Sequence, residues 1–224
     1  MSGVIDDPGT NDNRHYDYVT QQDQQRAEYP IIVAMVKSEA SVVDFGCGNG
    51  SLLKQLQIEK QVAGLGYDVA QSGVDACMAK GISARCMAID QFHPELNDRQ
   101  FDYAICNVTI QMVMYPERLL KEMARVARQQ IVSFPNFAFY RNRMDMALHG
   151  RMPQPMLFGY TWYATGHIHQ LSIYDFYALV RDVSSLRIKF KHQPQSRRWI
   201  KKWMVQRFPN FFEEIPVFLL ESSL

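Results

Sequence analysis

The chain has 224 residues, 47% of them apolar, with 24 basic against 23 acidic side chains and a net charge of +1. That length suits one α/β domain with a sizeable core, and the balanced charge gives no bulk attraction for nucleic acid or a membrane surface. No apolar run reaches membrane-spanning length, and the first residues lack the apolar stretch of a secretory leader.

Residues 1–40 read as a polar, mobile segment followed by a helical arm, in which Pro30 suits the first turn of a helix. The domain proper is expected over 41–221. Ser41 to Phe45 is short, apolar and β-branched, which predicts a strand over 41–46. Leu52, Leu53 and Leu56 at helical spacing predict a helix over 50–58. Alternation continues with strand 61–67, helix 71–80, strands 82–87 and 101–107, helix 116–127 and strand 129–134. In helix 116–127 Leu119, Leu120, Met123, Val126 and Ala127 form one apolar face. Such alternation implies a parallel sheet with helices on both faces. Leu186 to Phe190 and Ile215 to Leu220 read as a closing strand pair, Pro216 placing the second at an edge or a bulge.

The segment 136–170 breaks the alternation and is expected to form a cap over the substrate side. It carries Arg143, a candidate substrate contact, and Tyr160, Trp162 and Tyr163, which are too apolar for a free loop. Residues 191–207 mix Lys191, Arg197, Arg198, Lys201, Lys202 and Arg207 with Trp199 and Trp203. The tryptophans are four apart, so an amphipathic helix docked on the body is favoured over a nucleic-acid patch.

The chemistry concentrates after the first strand. Asp44-Phe45-Gly46-Cys47-Gly48-Asn49-Gly50 is a glycine-rich turn between strand and helix, where backbone N–H groups can approach a ligand closely. The second strand ends at Asp68, a position from which a carboxylate can accept from both ribose hydroxyls of an adenosine. A dinucleotide fingerprint would read G-x-G-x-x-G/A, whereas this turn reads G-x-G-x-G. Asp44 would repel a pyrophosphate but suits a cofactor bearing an ammonium group, which favours S-adenosylmethionine over a nicotinamide dinucleotide. The four cysteines, Cys47, Cys77, Cys86 and Cys106, have no C-x-x-C pairing and read as reduced thiols of a cytoplasmic protein. No cluster has metal-ligand spacing, and Cys47 reads as filler within the turn.

Asp44 to Gly50 resembles the first motif of class I S-adenosylmethionine-dependent methyltransferases. Ile131 to Phe137, Gly150 to Pro153, Tyr160 to Tyr163, His167 to His169 and Phe208 to Phe212 resemble the MetW family (methionine-biosynthesis protein MetW) more specifically, as a divergent member. The resemblance implies a Rossmann-like class I methyltransferase fold: a mostly parallel seven-stranded sheet with helices on both faces and an antiparallel last strand. It also implies a cofactor site of Asp44, Gly46, Cys47, Gly48, Asp68 and Val69, with Ala88, Ile89 and Asp90 beside the adenine and Asn107 at the methyl-transfer position. Relatives carry an acidic adenine contact where this chain has Ala88, and Asp90 lies two residues on. His169 is the candidate general base, its alternative role being to order its loop.

Two functions follow. One is methyl transfer from S-adenosylmethionine to an oxygen or nitrogen of a small polar metabolite, with S-adenosylhomocysteine as product. The other is a non-catalytic partner of homoserine O-acyltransferase in methionine biosynthesis that senses S-adenosylmethionine. The partners expected are thus a small-molecule methyl acceptor, that acyltransferase and a second copy in a homodimer, with neither membrane nor nucleic acid. A nicotinamide-dependent dehydrogenase is the third and weakest reading.

Overall fold

A period of two along each strand sorts the side chains onto two unlike faces. The computed structural model describes residues 26–154, 167–192 and 199–222. Its elements are α1 (Tyr29–Met35), β1 (Ser41–Phe45), α2 (Ser51–Lys60), β2 (Ala63–Asp68), α3 (Gln71–Ala79), β3 (Ser83–Cys86), β4 (Phe101–Asn107), α4 (Pro116–Val126), β5 (Ala127–Ser133), α5 (Tyr140–His149), α6 (Ile173–Asp182), β6 (Leu186–Lys191), α7 (Trp199–Arg207), α8 (Pro209–Phe212) and β7 (Val217–Ser222). The seven strands run in the order β3-β2-β1-β4-β5-β7-β6. β7 is antiparallel to both of its neighbours, and the other ladders are parallel. This is the Rossmann-like sheet with an antiparallel last strand that the sequence leads one to expect.

Val42, Tyr103, Ile105, Ile131 and Val217 pack toward α1 and α2. Val43, Phe45, Ala104, Cys106, Val132 and Phe218 pack toward α4 and α6. Each of Leu52, Leu53 and Leu56 of α2 is buried, a side chain of that size contributing about 1.5–3 kcal/mol. Asp44, Asn107 and Ser133 follow Val42, Ile105 and Ile131 by two residues on their strands. They therefore share the α1 face at the carboxyl ends of β1, β4 and β5.

Two expectations need revision. Pro216 puts β7 at neither an edge nor a bulge: β7 lies between β5 and β6, and Pro216 precedes its first residue, so no ladder bond is forfeited. The irregularity falls instead on β6, between Ile188 and Phe190. Helix α7 does not dock through Trp203, which is 57% exposed against the edge of Phe208; Val205 is its buried residue, and the Trp199 side chain lies outside the described residues. The Lys191 ammonium pairs with the buried carboxylate of Glu213.

In the segment expected to form a cap, α5 buries Asn142 alone. The backbone N–H groups of Ile168 and His169 both donate to the Gln111 carbonyl, at 3.0 and 3.1 Å. The Gln111 amide donates in turn to the Pro135 carbonyl at 2.9 Å, so the loop is pinned beyond the ends of β4 and β5. Tyr160, Trp162 and Tyr163 lie outside the described residues.

Candidate functional site

Parallel strands end together, so the loops after β1, β2 and β4 meet at one edge of the sheet. The glycine turn takes three left-handed conformations there, at Gly46 (φ 86°), Gly48 (φ 54°) and Gly50 (φ 74°). A Cβ on Gly46 would lie 2.4 Å from the Thr109 methyl carbon, so the close approach between the β1 and β4 loops requires glycine on two counts. The turn is tied to β2 by the Gly46 N–H, which donates to the Tyr67 carbonyl at 2.7 Å. The Gly48 N–H donates to Asp68 Oδ2 at 2.7 Å.

Asp68 is buried, and its other oxygen accepts the Ala70 N–H at 2.9 Å. A carboxylate can accept about four hydrogen bonds, so one group can hold the turn and receive a vicinal diol together. Asp44 is 2% exposed, and its Oδ1 has no hydrogen-bond partner among the described residues. Burial pushes its pKa up from 3.8 to about 7, Asp68 adds to the rise, and Arg26 opposes it. A buried carboxylate left in this state is matched by a cationic donor.

Cys47 lies in the turn, but its side chain points under it. A Cβ on Gly66 would fall 2.5 Å from Cys47 Sγ, and that sulfur sits 3.8 Å from Cys77 Sγ. A ligand would therefore meet the Cys47 backbone and not its thiol. Gly66→Ala should cost about 1–3 kcal/mol of stability through this overlap. Paired denaturation of Gly66→Ala and Gly66→Ala/Cys47→Ala checks it: the double variant should recover part of the loss, and equal losses would mean that the clash lies elsewhere.

The remaining sequence-derived residues divide. Asn107 is at the tip of β4, where Ser133 Oγ donates to its Oδ1 and its amide nitrogen donates to Glu28 Oε1 at 3.3 Å. The next residue, Val108, has φ 56°, an unusual conformation for a β-branched side chain. Its N–H is held by Ser133 Oγ at 3.1 Å and by the Ser133 carbonyl at 3.0 Å. Val69 and Ala88 are half-buried. Ile89 turns its side chain into the core with Phe45 and Tyr67. Asp90 Oδ2 accepts the Tyr115 N–H at 3.0 Å, at the start of α4. Arg143 is committed elsewhere: its guanidinium donates to the Ala138 carbonyl and lies 5.4 Å from the centre of the Phe211 ring. His169 is half-buried, with Nε2 unpartnered among the described residues.

Sequence reasoning missed Arg26, Glu28 and the role of Ser133. Glu28 is 3% exposed and meets Asn107 across 79 positions of chain, so no local pattern could announce it. Among the described residues no group of three or more His, Cys, Asp or Glu could hold a metal ion, and no helix is long and apolar enough to cross a membrane.

Comparison with known proteins identifies the family and the fold. The family model "Methionine biosynthesis protein MetW" matches residues 26–220. The bifunctional methionine biosynthesis protein MetXA/MetW of Rhodopirellula baltica is 37% identical over 143 residues, which are 60% of this chain and 23% of that protein. The chain thus matches less than a quarter of that relative's length. Among solved structures, a chain from the complex of the Haloferax volcanii Trm112 methyltransferase activator with a candidate methyltransferase superposes with a TM-score of 0.62 at 16% identity, covering 87% of this chain and 88% of that one. Magnesium protoporphyrin IX methyltransferase of Synechocystis, solved with bound S-adenosylhomocysteine, gives 0.59 at 18% identity over 87% and 82%. A SAM-dependent methyltransferase of Aquifex aeolicus gives 0.59 at 12% identity over 92% and 98%. At these identities the likeness is one of fold: that of class I methyltransferases.

Proposed function

Because this chain belongs to the MetW family, we propose that its glycine-turn site binds S-adenosylmethionine and that the protein transfers the methyl group to an oxygen or nitrogen of a small polar metabolite. One observation carries the reading: the buried Asp44 carboxylate, whose Oδ1 has no hydrogen-bond partner among the described residues, leads into the glycine turn that Asp68 holds. Those residues fit the cofactor. Asp44 takes the ammonium of its amino-acid end, Asp68 the ribose hydroxyls, and the turn from Gly46 to Gly48 offers backbone without side-chain obstruction. Val69, Ala88 and the backbone at Ile89 flank the adenine, and Asp90, engaged with Tyr115, is its acidic neighbour.

When bound, S-adenosylmethionine supplies an electrophilic methyl group on a sulfonium sulfur. The chain's part is to position and to move a proton. Ser133 fixes the Asn107 amide, so that its nitrogen faces the site beside Glu28. His169, held by Gln111, accepts the acceptor's proton at Nε2.

Calorimetric titration with S-adenosylmethionine and S-adenosylhomocysteine tests the binding half, and binding of NADH in their place would move the site to the dinucleotide class. A screen for methyl transfer to hydroxyl and amine metabolites tests the other half. In that screen His169→Ala should lower turnover about a hundredfold or more and leave cofactor affinity near that of the wild type. Unchanged turnover would reduce His169 to a loop-ordering residue.

The fused MetXA/MetW relative favours a second reading, a regulatory partner of homoserine O-acyltransferase. Under it the ligand acts through different affinities for free and partnered states. Co-purification with the acyltransferase that depends on S-adenosylmethionine, without turnover, would select this reading.

A further inference from the structure

Resting on the cofactor reading above, we propose that Cys47 and Cys77 are a modification site: peroxide joins them in a disulfide that weakens the glycine turn's hold on S-adenosylmethionine. The two thiols come from separate elements, the turn after β1 and helix α3, 30 positions apart, and their sulfurs lie 3.8 Å from each other. Glycine makes the room for them. A Cβ on Gly66 would fall 2.5 Å from Cys47 Sγ, and one on Gly50 would fall 2.7 Å from Cys77 Sγ. Cys77 Sγ also lies 3.3 Å from the Gly48 carbonyl, to which its thiol donates. The pair thus sits directly beneath the turn from Gly46 to Gly50.

The bond would act on that turn. A disulfide needs sulfurs about 2.0 Å apart, so the turn and α3 must draw together. Oxidation also removes the thiol hydrogen that Cys77 gives to the Gly48 carbonyl. The same residue's N–H holds Asp68 Oδ2 at 2.7 Å, so a shift of Gly48 moves the carboxylate assigned to the ribose. The chemistry balances with peroxide as the oxidant. Sulfur of Cys47, the less enclosed thiol at 7% exposure against none for Cys77, attacks one peroxide oxygen and breaks the O–O bond. That step leaves a sulfenic acid and one water. Cys77 sulfur then displaces the hydroxyl, which departs with the Cys77 proton as a second water. Two electrons pass from the thiols to the peroxide. The contact with Cys77 first, then burial and the nearby Asp68 and Asp44 carboxylates, hold the Cys47 thiol above its ordinary range. The pair therefore stays reduced until oxidant is sustained.

The test uses the full chain carrying Cys86→Ser, because Cys86 is exposed and would compete for oxidant. The reduced protein is treated with hydrogen peroxide, free thiols are blocked, and peptides are mapped by mass spectrometry. A linked Cys47–Cys77 peptide, two hydrogens lighter than its parts, is expected. Calorimetry should show S-adenosylhomocysteine binding about tenfold or more weaker after oxidation, with dithiothreitol restoring it. Dithiothreitol leaves methionine sulfoxide in place, so recovery assigns the loss to the disulfide. Adding Cys77→Ala should abolish both the link and the loss. The peptide map and the reversal need no Cys77 variant and decide the matter should that variant fail to fold. Thiols that stay reduced or pair elsewhere, a link that leaves affinity unchanged, or an equal loss in Cys77→Ala overturns the proposal alone. A reduced chain that binds no S-adenosylhomocysteine removes the cofactor reading, and the switch with it.

Discussion

Asp44→Asn is expected to stabilise the ligand-free protein at pH 8 by up to about 4 kcal/mol while abolishing its affinity for S-adenosylhomocysteine. The sign follows from the pKa, raised from 3.8 to about 7 by burial first and Asp68 second, against Arg26. Below 3.8 the carboxyl is protonated both folded and unfolded and has no cost. Between 3.8 and 7 the unfolded chain gives up the proton and the folded one keeps it. Stability therefore declines as pH rises through that window, and the loss is complete above about 7. Asparagine escapes the penalty at every pH. Denaturant unfolding of both proteins at pH 5.5 and 8 should show the advantage of the variant growing with pH. An advantage that shrinks instead would mean that Asp44 already holds a cationic partner. The same carboxyl must ionise to meet an ammonium, so wild-type affinity for S-adenosylhomocysteine should fall about tenfold from pH 8 to pH 6, with a proton released on binding. Calorimetry in buffers of different ionisation enthalpy measures that proton.

The parts of this site that lie within one βαβ unit are legible in the sequence. Strand β1, the turn and α2 announce themselves through β-branched residues, alternating glycines and three leucines at helical spacing, all within one short stretch of chain. Asp68 follows because a parallel neighbour must end at the same edge. What the sequence hides is closure from a distance. Glu28 looks like a solvated charge before a short helix, and its contact with Asn107 across the chain brings it to this edge of the sheet. Tertiary context also overrides local patterns elsewhere. Trp199 and Trp203 at helical spacing suggest a docked face, yet Val205 carries the burial that Trp203 does not. Pro216 suggests an edge, yet it stands one residue before a strand whose ladder needs nothing from it. The family's acidic adenine position falls on Ala88, and the nearby Asp90 accepts the backbone N–H of Tyr115 at the start of α4.

Asp68→Ala should weaken S-adenosylhomocysteine at least a hundredfold, through two losses that can be told apart. The first is contact with the ligand: a carboxylate bound to both ribose hydroxyls makes charge-assisted hydrogen bonds worth about 1.5–3 kcal/mol each. The second is the shape of the turn, because Asp68 holds the Gly48 N–H at 2.7 Å and the Ala70 N–H at 2.9 Å. Asp68→Asn keeps one oxygen for these donors but turns an amide N–H₂ toward the other, so it should be nearly as weak as alanine. 5′-Methylthioadenosine, which lacks the amino-acid end, retains the ribose, so its affinity should fall by a similar factor. Removing Asp68 also removes a charge that raises the Asp44 pKa. The residual binding of S-adenosylhomocysteine should accordingly lose its pH dependence at a lower pH than in the wild type. Equal affinity of wild type and Asp68→Ala for both ligands would show that the adenosine does not lie at the end of β2. A loss confined to S-adenosylhomocysteine would place Asp68 at the amino-acid end instead of the ribose.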